Sequence, residues 1–348
     1  MSPLTESPRF AVIVGAFGRK EYLLRAVRSV RAQTLPRECI ELVVSKDFAD
    51  PEVDRALEAS GATIFSDPEG VIGRKQRNAL AVSTAPWVTF LDDDDELEPE
   101  RLARVAEVVR AHPEVGFYRC RVSVIGRDDA PIPRERWRTH EVDRGFDELG
   151  AVCLAPDRPN DAFEIGTRRT FATFSSSSMT FRRELLDGEV GEVFQRSYVA
   201  DTFLYLAAAL RPVGLFLDDR RLTRYRHGGW SMTNDPRWFP RAVAGLTDMA
   251  ELAERHGRTD FARYFRELAA HYGRLQLGQA ITLAIDAGAP RRDVARGTAA
   301  YLRCLGAHRA ERRLTLDTWA AALYGLGYPV APSAVWRLAR RWITAGRP

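Results

Sequence analysis

The chain has 348 residues, 45% of them hydrophobic and 28% charged, proportions that suit buried cores and exclude a disordered tail, a fibre or a coiled coil. Its formal net charge is +4, from 51 basic against 47 acidic residues, too weak a surplus to signal nucleic-acid binding. The length also exceeds the ~150 residues of one typical unit, so a disulfide-stapled mini-protein is ruled out.

Basic charge is uneven along the chain. Residues 291–348 hold eleven Arg against Asp293, Glu311 and Asp317, and lysine occurs only at Lys20, Lys46 and Lys75. Cys39, Cys120, Cys153 and Cys304 are scattered without a CxxC pair, which suggests neither a zinc site nor a disulfide framework and fits reduced thiols in a cytoplasm. The N-terminal MSPLTESPRF has no basic start followed by an apolar stretch, and the longest nearly unbroken apolar run, Phe203 to Leu210, falls far short of the ~20 residues that span a bilayer. Neither export nor membrane spanning is expected.

In chain order, Phe10 to Val14 predicts a first buried strand, broken by Gly15 and Gly18. Leu23, Leu24, Val27 and Val30 then recur on one face of a helix reaching Ala32. Glu41 to Val44 predicts a second strand, the segment after Lys46 a short helix to Ser60, and Ala62 to Phe65 a third strand. A loop over Gly70 to Gly73 leads into a helix from Lys75 to Ser83, then a central strand from Trp87 to Leu91. This alternation is that of β-α-β units on a parallel sheet. Pro99 suits the first turn of the next helix, which carries Leu102, Val105, Val108 and Val109 inward until His112-Pro113, and Phe117 to Ile125 is another strand. From Gly126 to Gly166 the polar, proline-bearing pattern suggests an insertion or excursion. Beyond Asp235, helical patterns run over roughly 240–256, 260–286, 291–305, 315–325 and 332–344, with a domain boundary near Trp238.

Asp92-Asp93-Asp94-Asp95, followed by Glu96, sits at the carboxyl end of the Trp87–Leu91 run, the edge at which open parallel sheets bind ligands. Carboxylates about 5 Å apart at an effective dielectric of ~20 repel by about 3 kcal/mol per pair, so crowding them is costly unless water or a cation intervenes. Hard oxygen donors favour Mg²⁺ or Mn²⁺, which commonly bridge carboxylates to substrate phosphates. A solvated acidic turn at the start of the following helix accounts for the same residues.

Three segments together, VIVGAFGRKEYLLRAVRSVRAQTL (Val12 to Leu35), GRKQRNALA (Gly73 to Ala81) and WVTFLDDDDELEPERL (Trp87 to Leu102), resemble in order and spacing the nucleotide-sugar domain of family 2 inverting glycosyltransferases of the GT-A fold. The resemblance covers roughly Arg9 to Asn234. It implies a GT-A α/β domain with a mixed, mainly parallel sheet, and, with the helical patterns that follow, the chain reads as a tail over 1–8, this domain over 9–237 and a helical C-terminal domain over 238–348. It also implies that Gly15, Ala16, Phe17 and Arg19 lie against the nucleotide base, that Gly73, Lys75, Arg77 and Asn78 line the nucleotide with basic groups near the diphosphate, and that Asp92 and Asp93 face the ribose and metal while Asp94 binds the metal directly. Many relatives carry two aspartates at the end of strand two; here Ser45 and Lys46 hold those positions and Asp47 follows one step later.

By the same resemblance Asp201, which opens the stretch DTFLYLAAAL, matches the general base, although its usual glutamate partner is Ala200. Inversion needs such a base on the acceptor side, opposite the departing diphosphate; read on its own, Asp201 is equally a cap or first-turn residue. In YRHGGWSMTN, His227 matches a histidine that completes the metal shell, Gly228 and Gly229 suit a closing loop, and Trp230 could stack on a sugar or serve the core. Ser175 to Ser178 offers hydroxyls to a donor sugar or forms a plain edge strand. Trp336, Leu338, Trp342 and Ile343, interleaved with Arg337, Arg340 and Arg341, suit a docked helix, an anionic membrane surface, an acidic acceptor or a second subunit.

The sequence therefore predicts a cytoplasmic enzyme, with peripheral membrane contact open, that uses Mn²⁺ or Mg²⁺ to move a sugar from a nucleotide-diphosphate donor to a glycan, lipid, peptide or small metabolite, without a nucleic-acid partner. Two other readings fit parts of the pattern: a nucleotidyltransferase, which would release pyrophosphate, and a non-catalytic nucleotide-sugar-binding scaffold.

Overall fold

The computed structural model describes residues 8–17, 20–133, 141–227 and 238–286, together with Arg292 and Arg296. The chain divides into two compact units, one of Met1–Trp230 with Asp248–Tyr264, the other of Ser231–Thr247 with Phe265–Pro348.

The first unit opens as its periodicity dictates. Strand β1 (Phe10–Ala16) is buried along almost its whole length and feeds helix α1 (Leu23–Arg31), which buries Leu23, Ala26, Val27 and Val30. Strand β2 (Ile40–Lys46) leads to α2 (Pro51–Ala59), where Asp50 caps the helix by accepting the Glu52 and Val53 N–H groups at 3.0 and 3.2 Å and Pro51 occupies the first turn. Then come β3 (Thr63–Ser66), α3 (Ile72–Leu80), β4 (Trp87–Asp92), β5 (Glu96–Leu97), α4 (Arg101–Ala111) and β6 (Val115–Ile125). Helix α3 begins before Gly73, so that glycine is helical rather than part of a loop, and α4 starts two residues after Pro99 instead of at it.

The stretch expected to be an excursion after Gly126 holds regular structure among its described residues: α5 (Glu141–Leu149), β7 (Val152–Leu154), α6 (Pro159–Asp161) and a π-helical turn over Ala162–Arg169. Its polarity hid this because β7 is only three residues long and its partner lies far off in sequence. Strand β8 (Met179–Arg182), α7 (Glu189–Phe194), α8 (Ala200–Ala209) and β9 (Gly214–Arg226) complete the sheet and its cover, and α9 (Trp238–Arg255) and α10 (Thr259–Asp286) follow. Of the other expected C-terminal helices, those over 291–305, 315–325 and 332–344 lie outside the described residues apart from Arg292 and Arg296.

All nine strands form one sheet in the order β3-β2-β1-β4-β8-β6-β9-β5, with β7 also on β9. Strands β3, β2, β1 and β4 are parallel; β8 runs antiparallel between β4 and β6; β6 and β9 are parallel. Register sets Gly15 between Ser45 and Asp92, so the carboxyl ends of β1, β2 and β4 form one rim. In the second unit Trp238 packs on Tyr272 with ring centroids 5.3 Å apart. Among the described residues no helix is long and apolar enough to cross a membrane.

Gly73 shows how closely α3 is seated. Its N–H donates to the Ser197 carbonyl at 3.0 Å, and a Cβ there would lie 1.9 Å from the Phe194 carbonyl oxygen. Gly73→Ala must push α3 away from that backbone, and overpacking of this kind costs about 1–3 kcal/mol. Urea denaturation should show a lowered midpoint with an unchanged slope.

Candidate active site

Strand β4 is buried from Trp87 to Leu91, so its apolar residues anchor the chain and deliver Asp92 at the rim. The backbone then turns at once, the Asp95 N–H donating to the Asp92 carbonyl at 3.2 Å. The five acidic residues divide by environment. Asp95 is buried, and its Oδ1 accepts the Arg226 N–H at 2.8 Å. Burial, followed by the charges of Asp94 and Asp92, pushes the Asp95 carboxyl well above the usual range. Glu96 accepts from Arg224 at 2.7 Å and from Arg226 at 2.8 Å. Asp93 is buried and accepts weakly from the Phe17 N–H at 3.4 Å. Asp92 and Asp94 keep partial exposure.

Arg226 is the residue that sequence reasoning missed. Its fully buried guanidinium donates to the Asp94 carbonyl at 2.9 Å, the Gly126 carbonyl at 2.7 Å, Asp129 at 2.6 Å and Glu96 at 2.8 Å, and it lies over the Tyr22 ring at 4.3 Å. One cation thus fixes both backbone and carboxylates of the acidic turn. A single arginine in an arginine-rich chain gives no local signal; only its place beside His227 hinted at the site.

The serine run is neither an edge strand nor exposed. Ser176–Ser178 form a buried 3₁₀ turn leading into β8, an interior strand. Ser177 Oγ accepts the Asp92 N–H at 3.1 Å, and the Ser175 N–H donates to Asp201 Oδ2 at 3.2 Å. Ser175 has φ +61°, a conformation that non-glycine residues adopt at a cost of about 1–2 kcal/mol and that clusters at functional sites. Ser178 closes the turn by donating to the Ser175 carbonyl at 2.7 Å, and Arg101 donates to the Ser178 carbonyl at 3.0 Å. The turn therefore connects Asp92 to Asp201, with one part-buried hydrogen bond at each end.

Asp201 lies in the first turn of α8, but Val199 is the cap residue and makes no side-chain cap bond. The Asp201 carboxylate instead accepts from Thr202 N–H at 2.7 Å and from Ser175. The residue keeps some solvent access while its carboxyl is enclosed by protein; that enclosure pushes its pKa up, opposed by these N–H donors. Tyr225 links the two acidic centres: its phenol is pushed up first by burial and then by Asp95, Asp92, Asp94 and Asp201. Its ring meets Phe174 edge-on, 5.0 Å away.

The other predicted residues fall into two groups. Gly15, Ala16, Phe17, Asp47 and Lys75 converge: the buried Lys75 Nζ donates to the Ala16 carbonyl at 3.3 Å, lies 4.0 Å from the Phe17 ring centroid and stands 3.9 Å from Asp47. Burial lowers its pKa, while Asp47, Asp67 and Asp93 oppose that shift. Asn78 donates to Asp67 at 2.9 Å beside this cluster. Gly73 and Arg77 brace α3 instead, Arg77 reaching the Leu186 carbonyl at 3.4 Å and Glu192 at 3.3 Å. At the end of β2, Lys46 is sealed by Asp54 at 2.8 Å and by the Phe48 carbonyl at 2.6 Å. His227 is exposed and anchored by its N–H to the Ile125 carbonyl at 2.9 Å. Arg19 and Trp230 lie outside the described residues.

The acidic turn fits a hard cation in its donor chemistry: consecutive carboxylates, with Asp92 and Asp94 partly exposed. Asp92, Asp94 and His227 do not bring three ligand atoms within 4.8 Å of one another among the described residues.

The sequence profile described as glycosyl transferase family 2 matches residues 11–187, just over half of the 348. The chain belongs to glycosyl transferase family 2. Among curated relatives, an uncharacterized glycosyltransferase of a Nostoc species is 26% identical over 186 residues, 51% of this chain and 52% of that protein. An uncharacterized protein of Sinorhizobium fredii is 30% identical over 119 residues, 32% of this chain and 13% of that protein. The chain thus spans about half or less of the length of these relatives. Among solved structures, residues 1–349 of S. aureus TarS in complex with UDP-GlcNAc align with a TM-score of 0.52 at 16% identity, covering 82% of this chain and 83% of that one. The mannosyltransferase PcManGT of Pyrobaculum calidifontis, in complex with GDP-Man and Mn²⁺, aligns with a TM-score of 0.51 at 16% identity, covering 93% and 88%. The family 2 chain accordingly has the GT-A fold expected from its motifs.

Removing the Arg226 charge takes a buried partner from Glu96 and Asp129 and frees the Asp94 and Gly126 carbonyls, and breaking a buried charge network costs about 3–5 kcal/mol. Arg226→Met should lower the stability measured by chemical denaturation by that amount, whereas the half-exposed Arg74, paired with Glu69, should cost less than about 1 kcal/mol when replaced.

Proposed function

We propose that this family 2 protein is a cation-dependent, inverting glycosyltransferase that moves a sugar from a nucleotide-diphosphate donor to an acceptor nucleophile. The observation that carries this reading is the serine turn, which is hydrogen-bonded to Asp92 at one end and to Asp201 at the other. A group that holds a donor diphosphate and a group that deprotonates an acceptor must face the same anomeric carbon. This turn gives them a fixed separation.

The cluster of Gly15, Ala16, Phe17, Asp47 and Lys75 forms the nucleoside end, with Asp92 and Asp93 towards the ribose. Asp94 and Asp92 are the residues that would hold Mn²⁺ or Mg²⁺, which when bound would stabilise charge on the departing diphosphate. Asp201 accepts the acceptor's proton as the new glycosidic bond forms and the bond to the diphosphate breaks. A single displacement from the side opposite the leaving group inverts the anomeric carbon. The Ser175 and Thr202 N–H groups orient the Asp201 carboxylate, so positioning supplies part of the acceleration. Two proteins of the same fold hold UDP- and GDP-linked sugars, one of them with Mn²⁺, which supports a nucleotide-sugar donor and leaves both bases open. At the end of β2, Lys46 is engaged by Asp54 and Phe48, so Asp47 is the carboxylate offered to the nucleoside end.

Incubation with a panel of nucleotide sugars should release a nucleoside diphosphate, not pyrophosphate, and give product of inverted anomeric configuration by NMR; retention would overturn the single displacement. Asp201→Asn should lower kcat by about 10²–10⁴ while leaving donor binding intact. Since the base acts deprotonated and enclosure raises its pKa, kcat/KM should rise with pH through a midpoint above the ~3.9 of an ordinary aspartate, and Asp201→Asn should abolish that limb.

A further inference from the structure

A second set of ligating side chains lies away from the acidic turn. His112 is the C-cap of α4, Glu114 immediately precedes β6, and Cys153 is the middle residue of β7. Among the described residues this is the one group of three such side chains whose ligand atoms all lie within 4.8 Å of one another. His112 Nδ1 is 3.4 Å from Glu114 Oε1, and Cys153 Sγ is 3.8 Å from the same oxygen. Metal–ligand bonds of about 2.0–2.3 Å in tetrahedral geometry place ligand atoms about 3.3–3.8 Å apart. The two separations from Glu114 Oε1 match that edge length, and the third, from His112 to Cys153, lies within 4.8 Å.

The backbones carrying these groups are pinned. The His112 N–H donates to Val108 at 2.8 Å, the Val115 N–H to the His112 carbonyl at 3.0 Å, and the Gly214 N–H to the Glu114 carbonyl at 2.8 Å. Cys153 pairs in register with Phe216, whose ring contacts the His112 imidazole at 5.6 Å and stacks on Tyr118 at 6.0 Å. The His112 and Glu114 side chains are 40% and 44% exposed, so an ion can reach them from solvent. Burial and then Glu114 raise the Cys153 thiol pKa.

We propose that His112, Glu114 and Cys153 form a binding site for a borderline-soft divalent cation such as Zn²⁺, with three protein ligands and a fourth position open to water. The mixed nitrogen, oxygen and sulfur donors select a different ion class from the all-oxygen acidic turn. The two sites stand at opposite ends of α4, whose eleven residues extend about 16 Å. Arg101, at its start, supports the serine turn, and His112 ends it. Binding forms a metal–thiolate bond and releases the thiol proton to solvent, so affinity rises with pH. The bound ion ties the end of α4 and the start of β6 to the three-residue strand β7. None of this depends on the glycosyltransferase reading.

The full chain, kept in excess Mg²⁺ to occupy hard oxygen sites, should take up one equivalent of Co²⁺ with a thiolate-to-cobalt charge-transfer band in the near ultraviolet, displaced by Zn²⁺. Cys153→Ser should abolish the band, His112→Ala should weaken binding by at least about tenfold, and Cys39→Ser should leave both unchanged. A measurement on the unaltered chain guards against a variant that fails to fold: Zn²⁺ should slow alkylation of Cys153, read by peptide mass spectrometry. Absence of the band, its survival in Cys153→Ser, equal affinity in His112→Ala, or an alkylation rate indifferent to Zn²⁺ would overturn the site.

Discussion

Like charges packed at the carboxyl end of β4 are the constraint around which the site is built. Two carboxylates about 5 Å apart at an effective dielectric of ~20 repel by about 3 kcal/mol, and five consecutive acidic residues meet there. The fold neutralises part of this set. Arg224 and Arg226 take Glu96, the Arg226 N–H takes one oxygen of Asp95, and the Arg226 side chain fastens the turn's backbone. The buried Asp95 remains beside Asp92 and Asp94, its carboxyl pushed up first by burial and then by their charges. The rim thus invests a fully buried arginine in holding acids together.

Sheet order turns that rim into an active-site candidate. Because β8 lies between β4 and β6, and β9 beside β6, the turn before β8 and the end of β9 both arrive next to the end of β4. Ser177 is 85 positions from Asp92 in sequence and Arg226 is 131 from Asp95, yet each is one hydrogen bond away. Asp201 enters through Ser175, whose unfavourable backbone conformation aims its N–H at the carboxylate. Rigid strands set the donor-side acids, and a strained turn sets the acceptor-side acid.

The parallel half of the fold was legible because its signals are local. Short, mostly apolar buried runs marked β1, β2 and β4, and the 3.6-residue spacing of Leu23, Val27 and Val30 marked α1. The acidic tetrad was visible as a run, and its place after a buried strand gave the rim. The antiparallel half was not: β7, β8 and the long β9 are paired across sequence distances that periodicity does not sense, and β9 alternates between buried and exposed stretches. Arg226 and Ser175 were hidden for the same reason, since each acts only through a partner brought by topology. Lys75 was anticipated as a basic contact on the helix, but its enclosure by Ala16, Phe17 and Asp47 is a tertiary fact.

Titration calorimetry of a nucleoside diphosphate against the intact chain, with Mn²⁺ and with a chelator, and against Asp94→Ala, tests the central claim most directly. The account predicts that affinity falls at least about tenfold when the cation is withdrawn, and that Asp94→Ala loses the Mn²⁺ response. Equal affinity in chelator, or an unaltered Mn²⁺ response in Asp94→Ala, would contradict it.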